Sequence, residues 1–431
     1  MENKYPINQR YIWMITFAAA MGGFLFGYDF VVIGGAKPFY EPFFDLLTPT
    51  QKGWGTSSAI GTALANDFFS FNAFRMIGGV AMGAALNLSP MYISEIAPAN
   101  KRGILVTINQ LMIMIGILAA QIVNLLISRL DTELIASPTA QMIQNSWSGQ
   151  FGWRWMFGVE AIPALLFFLL MFLVPESVRW LVKNGQEKKA FKVLTKMGGE
   201  DYAAYEVNDI QKTLSSEHVS RVNFRELLNS KILKLIALGV FLAFLQQWSG
   251  INVVIYYASD IFQAAGFNLQ EMMVQIVAIG LVMLLSVFVT IFTVEKLGRR
   301  KILLMATLSM AIVYGLIGGG FYIGKTGTTL VVLMLVNVML YSLSLAPLFW
   351  VVLSEIYPNK IRGAAMSIGA MAHWLANFAL TFSFPTIKEN IGWANNFWLY
   401  GLICLIGFFV LYRYLPETKG KTLEDIEREL A

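Results

Sequence analysis

Runs of roughly twenty apolar residues recur along this chain, and each could cross the about 30 Å hydrocarbon core of a bilayer as one α-helix. They lie near 11–36, 69–93, 104–127, 154–174, 232–258, 273–294, 302–323, 329–353, 364–386 and 395–415, and they predict ten spans. In lipid every backbone N–H and C=O must find its partner inside the protein, so such runs commit the chain to an all-α polytopic bundle. Composition agrees: 56% of residues are apolar and 14% charged, against about 45–50% and about 25% in soluble domains. The first run contains Asp29 and reads as a retained span, not a signal-peptide core. The single cysteine, Cys404, falls in the last run, which excludes an intramolecular disulfide.

Within this helical chain one phrase occurs twice. Ser94-Glu95-Ile96-Ala97-Pro98-Ala99-Asn100-Lys101-Arg102-Gly103 returns as Ser354-Glu355-Ile356-Tyr357-Pro358-Asn359-Lys360-Ile361-Arg362-Gly363. Both read S-E-I-x-P-x-x-x-R-G between two apolar runs. A second echo closes each part, at Pro175-Glu176-Ser177 and Pro416-Glu417-Thr418. Duplicated helical halves in a membrane are the plan of secondary transporters, whose substrate sits where the halves meet. The repeat also serves as a ruler. Ser354 lies 122 residues beyond the first second-half span at Ile232, whereas Ser94 lies 83 beyond Tyr11. The first half is therefore short by nearly two spanning helices. Residues 43–68 offer only polar loop and a brief apolar stretch, Ala59 to Ala65. Losing an even number of crossings keeps the sidedness of everything that follows.

The net charge of +5 could point to nucleic acid, but its placement argues otherwise. With the N-terminus inside, 25 of the 32 Lys and Arg fall on the cytoplasmic side. That is the positive-inside asymmetry of membrane proteins, with both termini cytoplasmic. The expected organisation is a truncated N-terminal half of about four spans at 1–180 and a cytoplasmic helical linker at 181–231. A C-terminal half of six spans with a cytoplasmic tail follows at 232–431.

Ionisable residues inside spans are costly and mark function. Asp29 in the first span and Arg75 early in the second would both sit toward the external side and could meet. The proton affinity of such an aspartate depends on whether the pair is intact, so separation and re-pairing could couple transport to protons; a static ion pair is the structural alternative. Gln246-Gln247-Trp248-Ser249-Gly250-Ile251-Asn252 interrupts an apolar run with amides and a glycine. Read as continuous helix, it places Gln246, Gly250 and Val253 on one face. Amides both donate and accept, which suits a polyhydroxylated ligand. Tyr256, Trp350, Trp374 and Gln110 complete a candidate sugar site, against the plainer reading of interhelical glue. Glu95, Arg102, Glu355 and Arg362 stand at cytoplasmic helix ends in both halves and suggest a latch by carboxylate–guanidinium pairing. Gly319 to Thr326 matches a phosphate-binding loop by pattern, but it straddles the end of an apolar helix, so that reading is rejected. His218 and His373 alone give neither a metal cluster nor a catalytic triad.

Taken together, Gly27-Tyr28-Asp29, Arg75 with Gly78-Gly79, Pro90-Met91-Tyr92, Pro175-Glu176-Ser177-x-Arg179-Trp180, Gln246-Gln247 with Gly250-Ile251-Asn252, Glu295 to Arg300 and Pro416 to Gly420 give the chain a family likeness. It resembles the sugar porter family of the major facilitator superfamily, and within it the bacterial xylose–proton symporters. The resemblance implies a sugar site from Phe24, Gln110, Gln246, Gln247, Asn252, Tyr256, Trp350 and Trp374. It also implies proton coupling at Asp29 with Arg75, and a cytoplasmic gate that includes Arg299 and Arg300. His373 and Ile117 stand where the symporters have site glutamines, and the first of the family's two G-R-[KR] loops has no counterpart.

The expected function is alternating-access transport of a xylose-like monosaccharide with protons, in a multi-pass inner-membrane monomer. Its partners are a sugar, a proton and the lipid bilayer. No nucleic acid, metal, cofactor or enzyme activity is expected. A deletion variant that binds sugar without moving it, and a passive facilitator, remain as alternatives; Asp29 disfavours the second.

Overall fold

A computed structural model of the chain describes residues 6–46, 48–52, 65–98, 101–131, 138–216, 230–358 and 361–417. Among them, nine helical stretches are long and apolar enough to cross a membrane, and no strand is present. The last stretch, Arg362–Tyr414, bends at Gly392, where φ is 76° and ψ 175°, and so makes two crossings. The ten expected spans are all there.

The first half contains α1 (Gln9–Phe43), α2 (Phe68–Ile96) and α3 (Arg102–Ser128). After the short α4 (Ala140–Asn145), a fourth crossing runs from a π-helical turn at Ser148–Gly152 through α5 (Trp153–Gly158) and α6 (Ala161–Met171). Helices α7 (Val178–Lys183) and α8 (Glu187–Ser216) occupy the hydrophilic segment between the halves, and residues 217–229 lie outside the described ones. In the second half, α9 (Ser230–Trp248), α10 (Ile251–Tyr256) and α11 (Ala258–Ala264) form one interrupted crossing. Then follow α12 (Leu269–Leu297), α13 (Arg299–Tyr322), α14 (Thr328–Leu343) with α15 (Leu345–Ile356), and α16 (Arg362–Tyr414). Gly319 to Thr326 follows from helix α13, not from a strand, as expected for a rejected phosphate loop.

Helix α1 is the axis of the molecule. It is mostly apolar and mostly buried, and it packs against α2 and α3 of its own half and α10 and α11 of the other. Its seat against α3 depends on glycine. A Cβ placed on Gly27 would stand 2.0 Å from the Ile113 carbonyl oxygen, and one on Gly116 would stand 2.1 Å from the Phe24 carbonyl oxygen. Gly23, one turn before Gly27, faces the Asn109 backbone. Small residues spaced by four let membrane helices approach this closely.

Helix α1 runs past its expected end at 36 to Phe43, through Pro38 and Pro42. There its aromatic end meets α2 and α5 of the shortened half. Phe43 and Phe44 pack on Trp153 with ring centroids 5.2 and 5.4 Å away, and Phe44 packs on Phe71 at 5.2 Å. Helix α2 buries Phe71, Arg75, Gly78, Ser89, Ile93 and Ile96, and turns Phe69, Ile77 and Val80 outward.

Candidate functional site

The crossing that starts at Ser230 breaks where the amides cluster. Gly250 adopts φ 87°, a left-handed backbone that glycine tolerates without penalty, and α10 restarts at Ile251. A Cβ there would also meet the Tyr400 ring at 2.6 Å. The break overturns the continuous-helix grouping of Gln246, Gly250 and Val253, because a left-handed residue re-aims everything after it. Asn252 now donates to Gln247 Oε1, and Gln247 Nε2 donates to Gln246 Oε1 at 2.7 Å. The same Gln247 nitrogen lies 2.7 Å from His373 Nε2, an acceptor in the tautomer that leaves this nitrogen unprotonated. All four side chains are buried.

Aromatic rings enclose these amides. His373 stacks on Phe349 at 5.0 Å, with Trp350 at 5.3 Å and Trp374 edge-on at 5.2 Å. Trp350 and Trp374 are each 36% exposed, whereas the amides beside them are buried. Tyr256 is buried, and its hydroxyl faces the Asn377 amide.

The first half supplies the opposite wall. Phe26 meets Trp374 at 6.1 Å and Phe30 meets Tyr256 at 5.0 Å. These two are one helical turn apart and share a face of α1. Phe24, the ring implied by resemblance, is two residues out of phase with Phe26 and packs on Tyr28 of its own helix. Gln110 is half-buried on α3, next to Asn109, which faces Gly23.

Asp29 and Arg75 are both buried, and they interact electrostatically as their positions predict. A third member joins them. Glu160, at the turn between α5 and α6, is 5% exposed and interacts with both. Sequence reasoning missed it, although a carboxylate inside the run 154–174 was a visible signal. Arg75 also lies 5.3 Å from the Phe157 ring centroid, which leaves the guanidinium cradled by aromatic as well as acidic groups.

At the end bearing the two repeats, the charged residues bond within their own halves or to the linker. Ser177 donates to Glu95, and Tyr92 donates to the Pro175 carbonyl at 2.6 Å. Arg102 faces Tyr202 and Glu206 of α8, where burial, and then Asp209, push the Glu206 carboxyl above its ordinary range. Arg299 pairs with Glu355 at 3.2 Å, and its backbone N–H donates to Glu417 at 3.1 Å. Arg300 and Arg362 donate to the Tyr412 and Tyr357 carbonyls at 2.6 and 3.3 Å. Each echo of the sequence thus has a matching place: Ser177 ties the end of the first half to Glu95, and Glu417 ties the end of the second half to Arg299, which pairs with Glu355. Among the described residues no group of His, Cys, Asp and Glu could hold a metal.

Two helical halves of membrane-spanning length, with buried amides and aromatic rings where they meet, have the build of a membrane transporter. Residues 54–430 match the family described as sugar (and other) transporter. The D-xylose-proton symporter of Escherichia coli K12 is 34% identical over 493 aligned positions, covering 99% of this chain and 97% of that protein. The glucose transport protein of Synechocystis sp. PCC 6803 is 35% identical over 467 positions, covering 97% of each. The arabinose-proton symporter of Bacillus subtilis 168 is 32% identical over 468, covering 99% of this chain and 98% of that protein. Each alignment is longer than the 431 residues of this chain, in keeping with its shortened first half. Among solved structures, the inward open xylose transporter XylE of E. coli superimposes with a TM-score of 0.78 at 31% identity, covering 97% of this chain and 99% of that one. XylE bound to 6-bromo-6-deoxy-D-glucose gives 0.72 at 32% identity, covering 98% and 100%. The chain belongs to the sugar transporter family, as a sugar porter of the major facilitator superfamily.

Proposed function

We propose that this protein carries a monosaccharide of the xylose and glucose class into the cell together with a proton. The observation that supports this most directly is the buried relay Asn252–Gln247–His373 beside the partly exposed Trp350 and Trp374. Its amides hydrogen-bond one another, and sugar hydroxyls can replace those partners bond for bond while the indoles cover the pyranose face. His373 and Ile117 replace amides by a ring nitrogen and an apolar chain, so they set which sugar is preferred.

Asp29, Arg75 and Glu160 supply the coupling in this reading. Two carboxylates and one guanidinium are charge-balanced when a single proton is bound. The triad joins three helices of the first half, so a change in their packing changes its hold on that proton. Both termini are cytoplasmic in this reading, which the placement of 25 of the 32 basic residues on that side supports. The units 1–180, 181–231 and 232–431 move as two halves and a linker. Glu95, Arg102, Glu355, Arg362, Arg299 and Arg300 serve the cytoplasmic gate. In the state described they bond within their halves, which suits an open cytoplasmic mouth and the higher TM-score against inward open XylE.

The test is uptake of labelled xylose and glucose by proteoliposomes under an imposed pH gradient. Accumulation above the equilibrium level, collapsed by a protonophore, is expected. Equal uptake with and without the gradient would overturn the coupling, and uptake of neither sugar would overturn transport. Gln247→Ala removes the centre of the relay and should weaken sugar binding about ten-fold by calorimetry, since at least one net hydrogen bond and its desolvated partners are lost. Unchanged affinity would remove Gln247 from the site.

A further inference from the structure

At the end of the molecule away from the repeats, a buried ion pair joins the two halves. Lys37 on α1 is 2% exposed, although lysine is almost never buried without a partner. Its ammonium pairs with Asp260 on α11 of the second half and with Glu41, one turn along α1, at 3.1 Å. It also stands 4.7 Å from the ring centroid of Tyr257, again from the second half. Lys52 approaches the other Glu41 oxygen at 3.7 Å. These residues line a cavity of about 420 Å³ at this end, and Asp260 is 25% exposed there.

We propose that Lys37 and Asp260 form the lock that holds the external mouth shut, and that its strength sets the balance between inward- and outward-facing states. Taking this end as external rests on the orientation given above. The mouth cannot open without parting α1 from α11, and parting them separates a lysine from two second-half groups at once. A desolvated charge pair costs most when one partner is removed and the other stays buried. The two carboxylates on Lys37 make this lock separable from mere folding. Losing Asp260 cuts the tie between halves and leaves Lys37 paired with Glu41 in its own helix. Losing Glu41 leaves the tie in place.

The reporter is Ser259→Cys, a near-isosteric change at a buried position beside the pair; the only other thiol, Cys404, is buried in the last span. Labelling by a membrane-impermeant maleimide is followed on right-side-out membranes without sugar. Asp260→Asn should raise the labelling rate about ten-fold, the low end of what close charge pairs across interfaces contribute. Glu41→Gln and Asp260→Glu should label at the parent rate. Equal rates for Asp260→Asn and the parent would overturn the lock, and so would acceleration by Glu41→Gln as large as that by Asp260→Asn. Because no sugar is present, failure of transport in proteoliposomes leaves this measurement intact, and the two readings fail separately.

Discussion

Asp29→Asn should abolish sugar accumulation driven by a pH gradient while leaving sugar binding within about two-fold of the parent. Asparagine keeps the size and the hydrogen-bonding reach of the side chain but can neither carry the charge nor take up the proton. Asp29 lies on α1, the helix that meets Trp374 and Tyr256 through Phe26 and Phe30, and the buried Arg75 through Asp29 itself. Losing the carboxylate leaves one acid and one base in the cluster, a balanced pair with no need of a proton. The carrier would then equilibrate sugar without concentrating it. Counterflow exchange with sugar on both sides should persist in the variant, which separates lost coupling from lost folding. Gradient-driven accumulation at the parent level would end the coupling role of Asp29. Glu160→Gln offers a parallel reading of the same cluster, since it also changes the charge balance by one.

The second large effect concerns the first half itself. Gly27→Leu should prevent stable folding, and Gly27→Ala should already lower the unfolding temperature. The Cβ of alanine would sit 2.0 Å from a backbone oxygen of α3, which cannot rotate away as a side chain could. Relief requires the helices to move apart, and overpacking of this kind costs about 1–3 kcal/mol or more. Against a total stability of roughly 5–15 kcal/mol, that is a large fraction. Gly83 on α2 has open space where its Cβ would be, so Gly83→Leu is the matched control and should be silent. Buried Cys404 provides the readout, because a thiol-reactive fluorophore labels it only as the bundle unfolds. A Gly27→Leu protein that unfolds at the parent's temperature would show that α1 and α3 are not held by this contact.

The glycine contact with α3 and the aromatic cluster of Phe43, Phe44, Phe71 and Trp153 are two of the contacts that hold the first half, beside the apolar cluster of Ile12, Ile15, Ile93, Leu105 and Leu181.

How much of this was legible beforehand varies from residue to residue. The ten spans were readable because apolar length is a local property and a bilayer fixes what length is needed. The approach of Asp29 to Arg75 was readable because each is an isolated charge in an apolar run, placed at similar depth. Glu160 carried the same signal and was passed over. Gln246, Gln247 and Asn252 were readable as a polar interruption, but their contacts were not. A single positive φ at Gly250 turns one face into another, and periodicity counted along a continuous helix misplaces all that follows. Phe24 illustrates the limit more simply: a shift of two residues moves a ring from the wall of the site to the inside of its own half.

The class of the protein, its two-half plan and the shortfall in the first half can all be read along the chain. Those follow from the lengths of apolar runs, the spacing of a repeat and the sidedness of charge, none of which depends on how helices are turned. Helix packing alone brings Glu160 to Asp29 and Arg75, Asn252 to Gln247, and Lys37 to Asp260 across the halves. Each pairing depends on the rotation of helices about their axes and on breaks in them. Those are settled by packing between residues far apart in the chain.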